Sequence, residues 1–340
     1  MSALDLIYGN EQLKNIISGF SSRSSFPNAF IISGAEGSGK SLIAKVCAMA
    51  IACQGKDTRP CSNCPACKKI MAEISPDVIT LAREKDRKTI GIDAVRELKE
   101  SAYVLPNDLS VKIYIIDEAH RLTEQAQNAL LKLFEEGPGS VYFILLTDRP
   151  SSLLTTVRSR APELKAERFS EGKLTSLLLE NEKKAVELSK KDPVAFKRLL
   201  SASDGSYGKA LSILEGKNKK SAKAYLRAEE LISYIATEND SELLLGLISE
   251  SSDRENYVNI LRLILTGIRD LILLKKGSGG ASSLLFADED KGVELSNKFS
   301  LTVLISMAEA LSQLINDAQD ININLRNAAI VAFNSIKDCK

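Results

Sequence analysis

Tryptophan is missing from this 340-residue chain, histidine occurs once, and aromatic residues make up only 5% of it. So few aromatic side chains argue against a nucleic-acid surface built on base stacking. The single histidine, His120, has no nucleophile motif beside it, so we expect no catalytic triad. Lys and Arg number 45 against 44 Asp and Glu, and a net charge of +1 gives no chain-wide attraction to nucleic acid or membranes.

Long apolar runs are also lacking, and cysteines are few. No apolar stretch approaches the ~18–20 residues that span a bilayer, and Met1–Gly9 has no basic segment typical of a targeting signal. We therefore expect a cytoplasmic location and no membrane partner. Six cysteines occur and four of them are clustered, which in a reducing compartment favours a metal site over disulfides.

Strand and helix patterns alternate over residues 1–166. Apolar runs predict four strands, at Phe30–Ser33, Val78–Leu81, Lys112–Ile116 and Val141–Leu146. Helical spacing of apolar residues follows the first run and separates the last two, ending at the breaker Gly137-Pro138-Gly139. This alternation predicts an α/β domain whose parallel sheet is covered by helices on both faces.

Beyond residue 166 the strand patterns disappear. Apolar residues at helical spacing predict a small three-helix domain over residues 167–216. A cationic linker follows, and residues 217–340 have the pattern of four or five amphipathic helices with a Gly/Ser-rich loop at 276–283. The sequence thus predicts one α/β domain followed by two helical ones.

A glycine-rich segment satisfies the phosphate-loop pattern between a predicted strand and a predicted helix. Its residues are Gly34-Ala-Glu-Gly37-Ser-Gly39-Lys40-Ser41. The glycines let the backbone approach phosphate oxygens, and the following helix presents its positive dipole end to the same anion. Lys40 is the candidate ligand of the β- and γ-phosphates of ATP, and Ser41 of Mg²⁺. A chance glycine-rich turn is the alternative, which the strand–loop–helix context disfavours.

An acidic pair ends the third predicted strand in the manner of a Walker B motif. Asp117 is a candidate to hold Mg²⁺ through water, and Glu118 to polarise the attacking water. The alternative is an acidic pair that merely ends a strand. Its position about 80 residues after a phosphate loop favours the functional interpretation.

Four thiols are close together in residues 53–67, at Cys53, Cys61, Cys64 and Cys67. Cys-x2-Cys spacing lets two sulfurs reach one ion, and four thiolates suit a closed tetrahedral Zn²⁺ site. Free surface thiols or a redox pair are the alternatives. Because an all-thiolate set leaves no position for substrate, we expect a structural zinc ion and not a catalytic one.

Together these motifs resemble the clamp-loader subunits of bacterial DNA polymerase III, which belong to the AAA+ family. The resemblance rests on the phosphate loop, the cysteine insert, Asp117-Glu118 and Ser159-Arg160 after the fourth strand. Within the family, residues 146–160 and 205–211 are more similar to delta prime than to gamma/tau. Gamma/tau carries a nucleotide-sensing arginine where this chain has Gly208, so the resemblance implies weak or absent ATPase activity and leaves the chain's status as an enzyme open.

The resemblance also implies roles for whole segments and for single residues. Residues 1–166 would be the AAA+ nucleotide-binding domain with a zinc-binding insert at 53–67, residues 167–216 a lid, and residues 217–340 an oligomerisation collar. Thr147 would be sensor 1. Arg160 would be an arginine finger supplied in trans to a neighbouring gamma/tau subunit, the alternative being an ordinary surface ion pair.

The leading hypothesis is a delta prime-type subunit that assists ATP-dependent loading of the sliding clamp onto primed DNA during replication. Its implied partners are the gamma/tau and delta subunits, the clamp, and DNA contacted through its backbone. A short gamma-type subunit that itself binds and hydrolyses ATP is one alternative. An unrelated phosphate-loop regulator that binds a partner through its cysteine cluster is another, and it predicts no association with replication proteins.

Overall fold

The chain divides into two compact units, Met1–Phe169 and Ser170–Lys340. The structure is a computed structural model that describes residues 3–23, 26–55, 59–83, 87–216, 219–276, 285–286, 289–318 and 323–339. Apart from residue 276, the predicted Gly/Ser-rich loop lies outside the described residues. The boundary between the units falls three residues after the predicted end of the α/β domain.

A five-stranded parallel sheet organises the first unit. Its strands are β1 (Ala29–Ser33), β2 (Val78–Leu81), β3 (Lys112–Ile116), β4 (Val141–Thr147) and β5 (Glu163–Lys165), in the order β2-β3-β4-β1-β5. The four strands predicted from apolar runs are confirmed. The edge strand β5 was not predicted, because only its central residue is buried and it therefore has no apolar run.

Helices cover both faces of this sheet. They are α1 (Glu11–Arg23), α2 (Lys40–Ala52), α3 (Pro65–Met71), α4 (Ile92–Ala102), α5 (Glu124–Glu136) and α6 (Thr155–Arg160). Successive side chains of β1 point to opposite faces, so Phe30 and Ile32 pack with α2 whereas Ile31 packs in the cluster of α4 and α5. The predicted α/β architecture is therefore confirmed.

The second unit begins with four short helices where the sequence predicted three. They are α7 (Glu171–Asn181), α8 (Lys183–Lys191), α9 (Pro193–Ser203) and α10 (Tyr207–Leu214). The first predicted helix is two helices, because the backbone of Glu182 is extended (φ −121°, ψ 105°) and separates α7 from α8. Apolar spacing alone did not reveal this single-residue break.

The remaining described part of the second unit contains six helices, where four or five were predicted. They are α11 (Lys219–Thr237), α12 (Asp240–Glu250), α13 (Arg254–Lys275), α14 (Glu289–Asn297), α15 (Leu301–Ala318) and α16 (Leu325–Asp338). Leu261, Ile264 and Ile268 of α13 are fully buried in a core that also contains residues of α11 and α15. The separation of a lid (167–216) from a collar (217–340) stays a prediction.

Among these described helices, none is by itself long and apolar enough to cross a membrane. Two consecutive segments, Asp290–Asn297 and Leu301–Ala318, satisfy that criterion only together, and they are bent by 100° at the break.

Candidate nucleotide site and cysteine cluster

The predicted phosphate loop connects β1 to α2. Gly37 (φ +72°) and Gly39 (φ +85°) are in the left-handed region, where glycine alone is unstrained. A Cβ on Gly34 would lie 2.9 Å from the Cβ of Ala166, so a side chain would not fit there without a shift of the neighbouring chain. Because α2 begins at Lys40, its unpaired N–H groups and positive dipole end face the loop. These features suit an anion site.

Lys40 is folded over this loop. Its Nζ donates hydrogen bonds to the carbonyl oxygens of Gly34 (2.9 Å) and Ala35 (2.8 Å). Burial lowers the pKa of Lys40 below its ordinary value. The carboxylates whose charges oppose this lowering of the pKa are Asp148, Asp117 and Glu36. The ammonium group thus lies between the loop and acidic side chains, where a phosphate oxygen could replace a carbonyl as its acceptor.

Asp117 and Thr147 lie at the same edge of the sheet as the loop. Asp117 follows β3, and its N–H donates to Leu81 O at 2.9 Å. Thr147 ends β4, is buried, and is paired in register with Ser33 directly before the loop. Its hydroxyl accepts a hydrogen bond from Arg149 N–H at 3.0 Å. Parallel strands bring their carboxyl ends to one edge, so the residues predicted for the nucleotide site are brought together there.

Glu118 is held by two arginines. Arg121 Nε donates to Glu118 Oε1 at 2.9 Å, and Arg83 Nε donates to Oε2 at 3.2 Å. Burial by itself would raise the pKa of this carboxyl group, but the hydrogen bonds from Arg121 and Arg83 outweigh it and hold the pKa below its ordinary value. Neither arginine was predicted as part of the site; Arg83 precedes Glu118 by 35 positions, whereas Arg121 follows it by only three.

A pair formed by His120 and Asp148 lies beside the site and was also missed by sequence reasoning. His120 Nδ1 is 2.9 Å from Asp148 Oδ1, and the histidine side chain is 7% exposed. Burial lowers the pKa of His120 despite the opposing charge of Asp148. The only sequence signal for Asp148 was its position directly after Thr147.

Arg160 is at the other edge of the sheet. It ends α6, three residues before the start of β5, which runs parallel to β1. The phosphate loop follows the carboxyl end of β1, whereas Arg160 precedes the amino end of the neighbouring strand. Its side chain is 44% exposed, and its guanidinium pairs with Glu135 of α5. Both interpretations from the sequence, a surface ion pair and a group available to another chain, agree with this position.

The four clustered cysteines converge between α2 and α3. The Sγ atoms of Cys53, Cys61, Cys64 and Cys67 all lie within 4.8 Å of one another. Cys53 is the C-cap of α2, and Cys64 is the N-cap of α3, its sulfur accepting a hydrogen bond from Cys67 N–H at 3.4 Å. The predicted cluster therefore forms in space as well as in sequence.

The surroundings of this cluster suit a thiolate-bound metal. Backbone N–H groups donate to three of the sulfurs, and the one from Cys64 is the main reason why the pKa of Cys61 falls to about 6. A Cβ on Gly55 would lie 3.2 Å from the sulfur of Cys61 and 3.3 Å from that of Cys53, so only glycine leaves the sulfurs room. The donor set fits Zn²⁺, which would be held in a closed structural site.

A glycine-rich loop with acidic residues at the carboxyl edge of a parallel sheet is the arrangement typical of phosphate-loop domains. The sequence profile of the family described as "DNA polymerase III, delta subunit" matches residues 9–170. This α/β part of the chain is thus similar in sequence to the delta, gamma and tau subunits of DNA polymerase III.

Two relatives of this chain are subunits of DNA polymerase III. DNA polymerase III subunit tau of Bacillus subtilis is 29% identical over 259 residues, which cover 75% of this chain and 44% of that protein. DNA polymerase III subunit gamma of Buchnera aphidicola subsp. Schizaphis graminum is 32% identical over 210 residues, 62% of this chain and 56% of that protein. The chain thus spans about half the length of these relatives.

Similarity to solved structures is weaker. A DNA polymerase III gamma subunit-related protein of Thermotoga maritima aligns over 97% of this chain and 99% of its own, with 19% identity and a TM-score of 0.44. The family description names a delta subunit, whereas the relatives are gamma and tau. The branch within the family therefore has to be argued from individual residues.

Proposed function

We propose that the chain is a delta prime-type subunit of the DNA polymerase III clamp loader, assisting ATP-dependent loading of the sliding clamp onto primed DNA. Residues 9–170 match the profile of the DNA polymerase III delta subunit family. With that match as background, the observation that carries the proposal is the position of Arg160. This arginine is half exposed at the sheet edge opposite the chain's own phosphate loop. This exposure supports the proposal, because it leaves the side chain accessible to a nucleotide bound by another subunit.

The residue type suits this role. A guanidinium is planar and permanently charged, so it can donate two parallel hydrogen bonds to phosphoryl oxygens. By family resemblance Arg160 would act in trans on ATP held by an adjacent gamma/tau subunit. Its contact with Glu135 is between two half-exposed side chains, and such a pair is weak enough to be exchanged for a phosphate.

Gly208 favours the delta prime branch over gamma. It lies in the first turn of α10, where the N-cap Ser206 hydroxyl accepts a hydrogen bond from Lys209 N–H at 3.2 Å. By resemblance, gamma/tau has a phosphate-sensing arginine at this position. Lys209 is about 100° further around the helix and would point elsewhere. We therefore infer weak or absent hydrolysis by this chain alone.

The gamma-type alternative is favoured by one observation, the completeness of the phosphate loop. Lys40 and Ser41 begin α2, and Asp117 and Thr147 lie at the same sheet edge. These residues would hold the phosphates and Mg²⁺ of ATP, and Thr147 would act as sensor 1. We infer that nucleotide binding is retained in both alternatives, so turnover and not binding distinguishes the two branches.

The other parts of the chain would serve the assembly. Zn²⁺ held by the four cysteines would stabilise the segment between α2 and α3. Residues 167–216 would form the lid, and residues 217–340 the collar that joins the gamma/tau and delta subunits. Contacts with the clamp and with the backbone of primed DNA follow from this assignment.

Co-elution on gel filtration tests the assignment. The purified chain should elute with gamma/tau and delta subunits from the same source, with and without ATP. Separate elution under both conditions would contradict the proposal and favour an unrelated phosphate-loop regulator. Steady-state phosphate release by the isolated chain then separates the branches, because a gamma-type subunit would turn ATP over by itself.

A further inference from the structure

The four clustered cysteines differ in how far solvent reaches them. Cys53 is 4% exposed and Cys67 is fully buried, whereas Cys61 and Cys64 are only half-buried. Oxidation of a cysteine by a peroxide depends on its thiolate character and on access of the oxidant to the sulfur. A small oxidant in solution therefore reaches Cys61 and Cys64 before the other two.

Cys61 and Cys64 are also arranged as a pair. The sulfur of Cys61 accepts a hydrogen bond from Cys64 N–H at 3.4 Å, and the sulfur of Cys64 accepts one from Cys67 N–H at the same distance. Metal binding and oxidation both use the thiolate form of cysteine, which such hydrogen bonds stabilise. The two sulfurs lie within 4.8 Å of each other, so they are near enough for side-chain rotation to join them in an S–S bond of about 2.05 Å.

The other two cysteines are fixed in the core of the α/β unit. Cys53 and Cys67 are buried in the same apolar cluster as Met49 of α2, whereas Cys61 and Cys64 are only partly buried against it. Joining the outer pair thus leaves the inner pair in place. It also removes half of the ligands available to a metal ion.

We propose that Cys61 and Cys64 are a peroxide-sensitive pair, which hydrogen peroxide joins in a disulfide so that the cluster no longer holds its metal. The inference rests on the proposed zinc site and adds its regulation. The Cys61 thiolate attacks one peroxide oxygen, the O–O bond breaks, and the other oxygen takes a proton and leaves as water. The Cys64 thiolate then attacks the sulfur of the sulfenic acid so formed, the S–O bond breaks, and a second water leaves.

The consequence of this oxidation is reversible. Two electrons have passed from the sulfurs of Cys61 and Cys64 to the peroxide. Cys53 and Cys67 remain as thiols, and two ligands do not make a closed tetrahedral site. A reducing thiol such as glutathione restores the pair by exchange with the disulfide. The order of the segment between α2 and α3 therefore depends on the balance of peroxide and thiol.

The test exposes the full-length native chain to a small molar excess of hydrogen peroxide. Zinc release is followed with a chromogenic chelator, and disulfides are mapped by mass spectrometry after the free thiols are alkylated. The wild type should release its zinc together with formation of a Cys61–Cys64 disulfide, and dithiothreitol with added zinc should reverse both changes. Cys61→Ser should remove this disulfide. Cys339→Ser, which removes the half-buried cysteine at the end of α16, is the matched control and should respond like the wild type.

A second readout follows the segment itself. In hydrogen exchange, the backbone amides of α3 should exchange faster after oxidation and return to their original rates after reduction and zinc addition. Unchanged exchange would overturn the inference. So would zinc release without a disulfide, or a disulfide that joins Cys53 or Cys67 instead. Native protein without zinc would overturn the zinc site, whereas a Cys61–Cys64 disulfide formed in that protein would still support the peroxide-sensitive pair.

Discussion

Replacing Arg160 by alanine distinguishes an arginine finger from a surface ion pair. The two roles predict losses of free energy that differ greatly in size. Arg160 and Glu135 are each about half exposed, and an ion pair of that kind contributes no more than about 1 kcal/mol to stability. An arginine finger is worth about 10³–10⁵-fold in hydrolysis. At about 1.4 kcal/mol per factor of ten, that is roughly 4–7 kcal/mol of activation free energy.

The assay therefore measures two quantities on the same variants. Urea denaturation of the isolated chain should show that Arg160→Ala changes the free energy of unfolding by at most about 1 kcal/mol. DNA- and clamp-stimulated ATP hydrolysis by the reconstituted complex should fall, because one interfacial site loses its transition-state partner. Arg160→Lys should rescue poorly, since an ammonium group cannot reproduce the two parallel hydrogen bonds.

Two controls make the result specific. Glu135→Gln breaks the same ion pair but leaves the guanidinium in place, so hydrolysis by the complex should be unchanged. Arg158→Ala removes another exposed arginine from the same helix and should also be neutral. If Arg160→Ala and Glu135→Gln have equal effects, or if neither affects hydrolysis, Arg160 is a surface ion-pair residue and the finger assignment is wrong.

Three further predictions concern the loop and the cysteines. Native protein should contain one zinc ion per chain, and the double variant Cys64→Ser with Cys67→Ser should lose both the ion and local stability. A zinc content near zero in elemental analysis of the wild type would refute this. Lys40→Ala should abolish nucleotide binding measured by calorimetry, while the wild-type chain alone should release phosphate negligibly. Gly34→Ala should lower the free energy of unfolding by about 1–3 kcal/mol, because its Cβ would overlap a neighbour. Gly139→Ala, whose Cβ meets nothing within 4 Å, should change it by no more than about 0.5 kcal/mol, and equal effects of the two substitutions would contradict this reasoning.

Local patterns determined much of this protein in advance. Apolar runs predicted β1 to β4, and the loop between β1 and α2 followed from glycine spacing. The cysteine spacing predicted a cluster that the structure forms. Each of these features depends on residues near one another in the chain, where backbone preference and side-chain spacing suffice.

Long-range packing decided the rest. Pairing of β1 with β4 places Thr147 beside Ser33. The edge strand β5 has little apolar character of its own and forms by hydrogen bonding to the backbone of β1. Only the folded chain brings Arg83 to Glu118. Such contacts join residues that are distant in sequence, and their formation depends on strand register and helix packing. The local spacing of apolar residues does not specify strand register or helix packing. In a different packing arrangement the same polar side chains could form their hydrogen bonds with water instead.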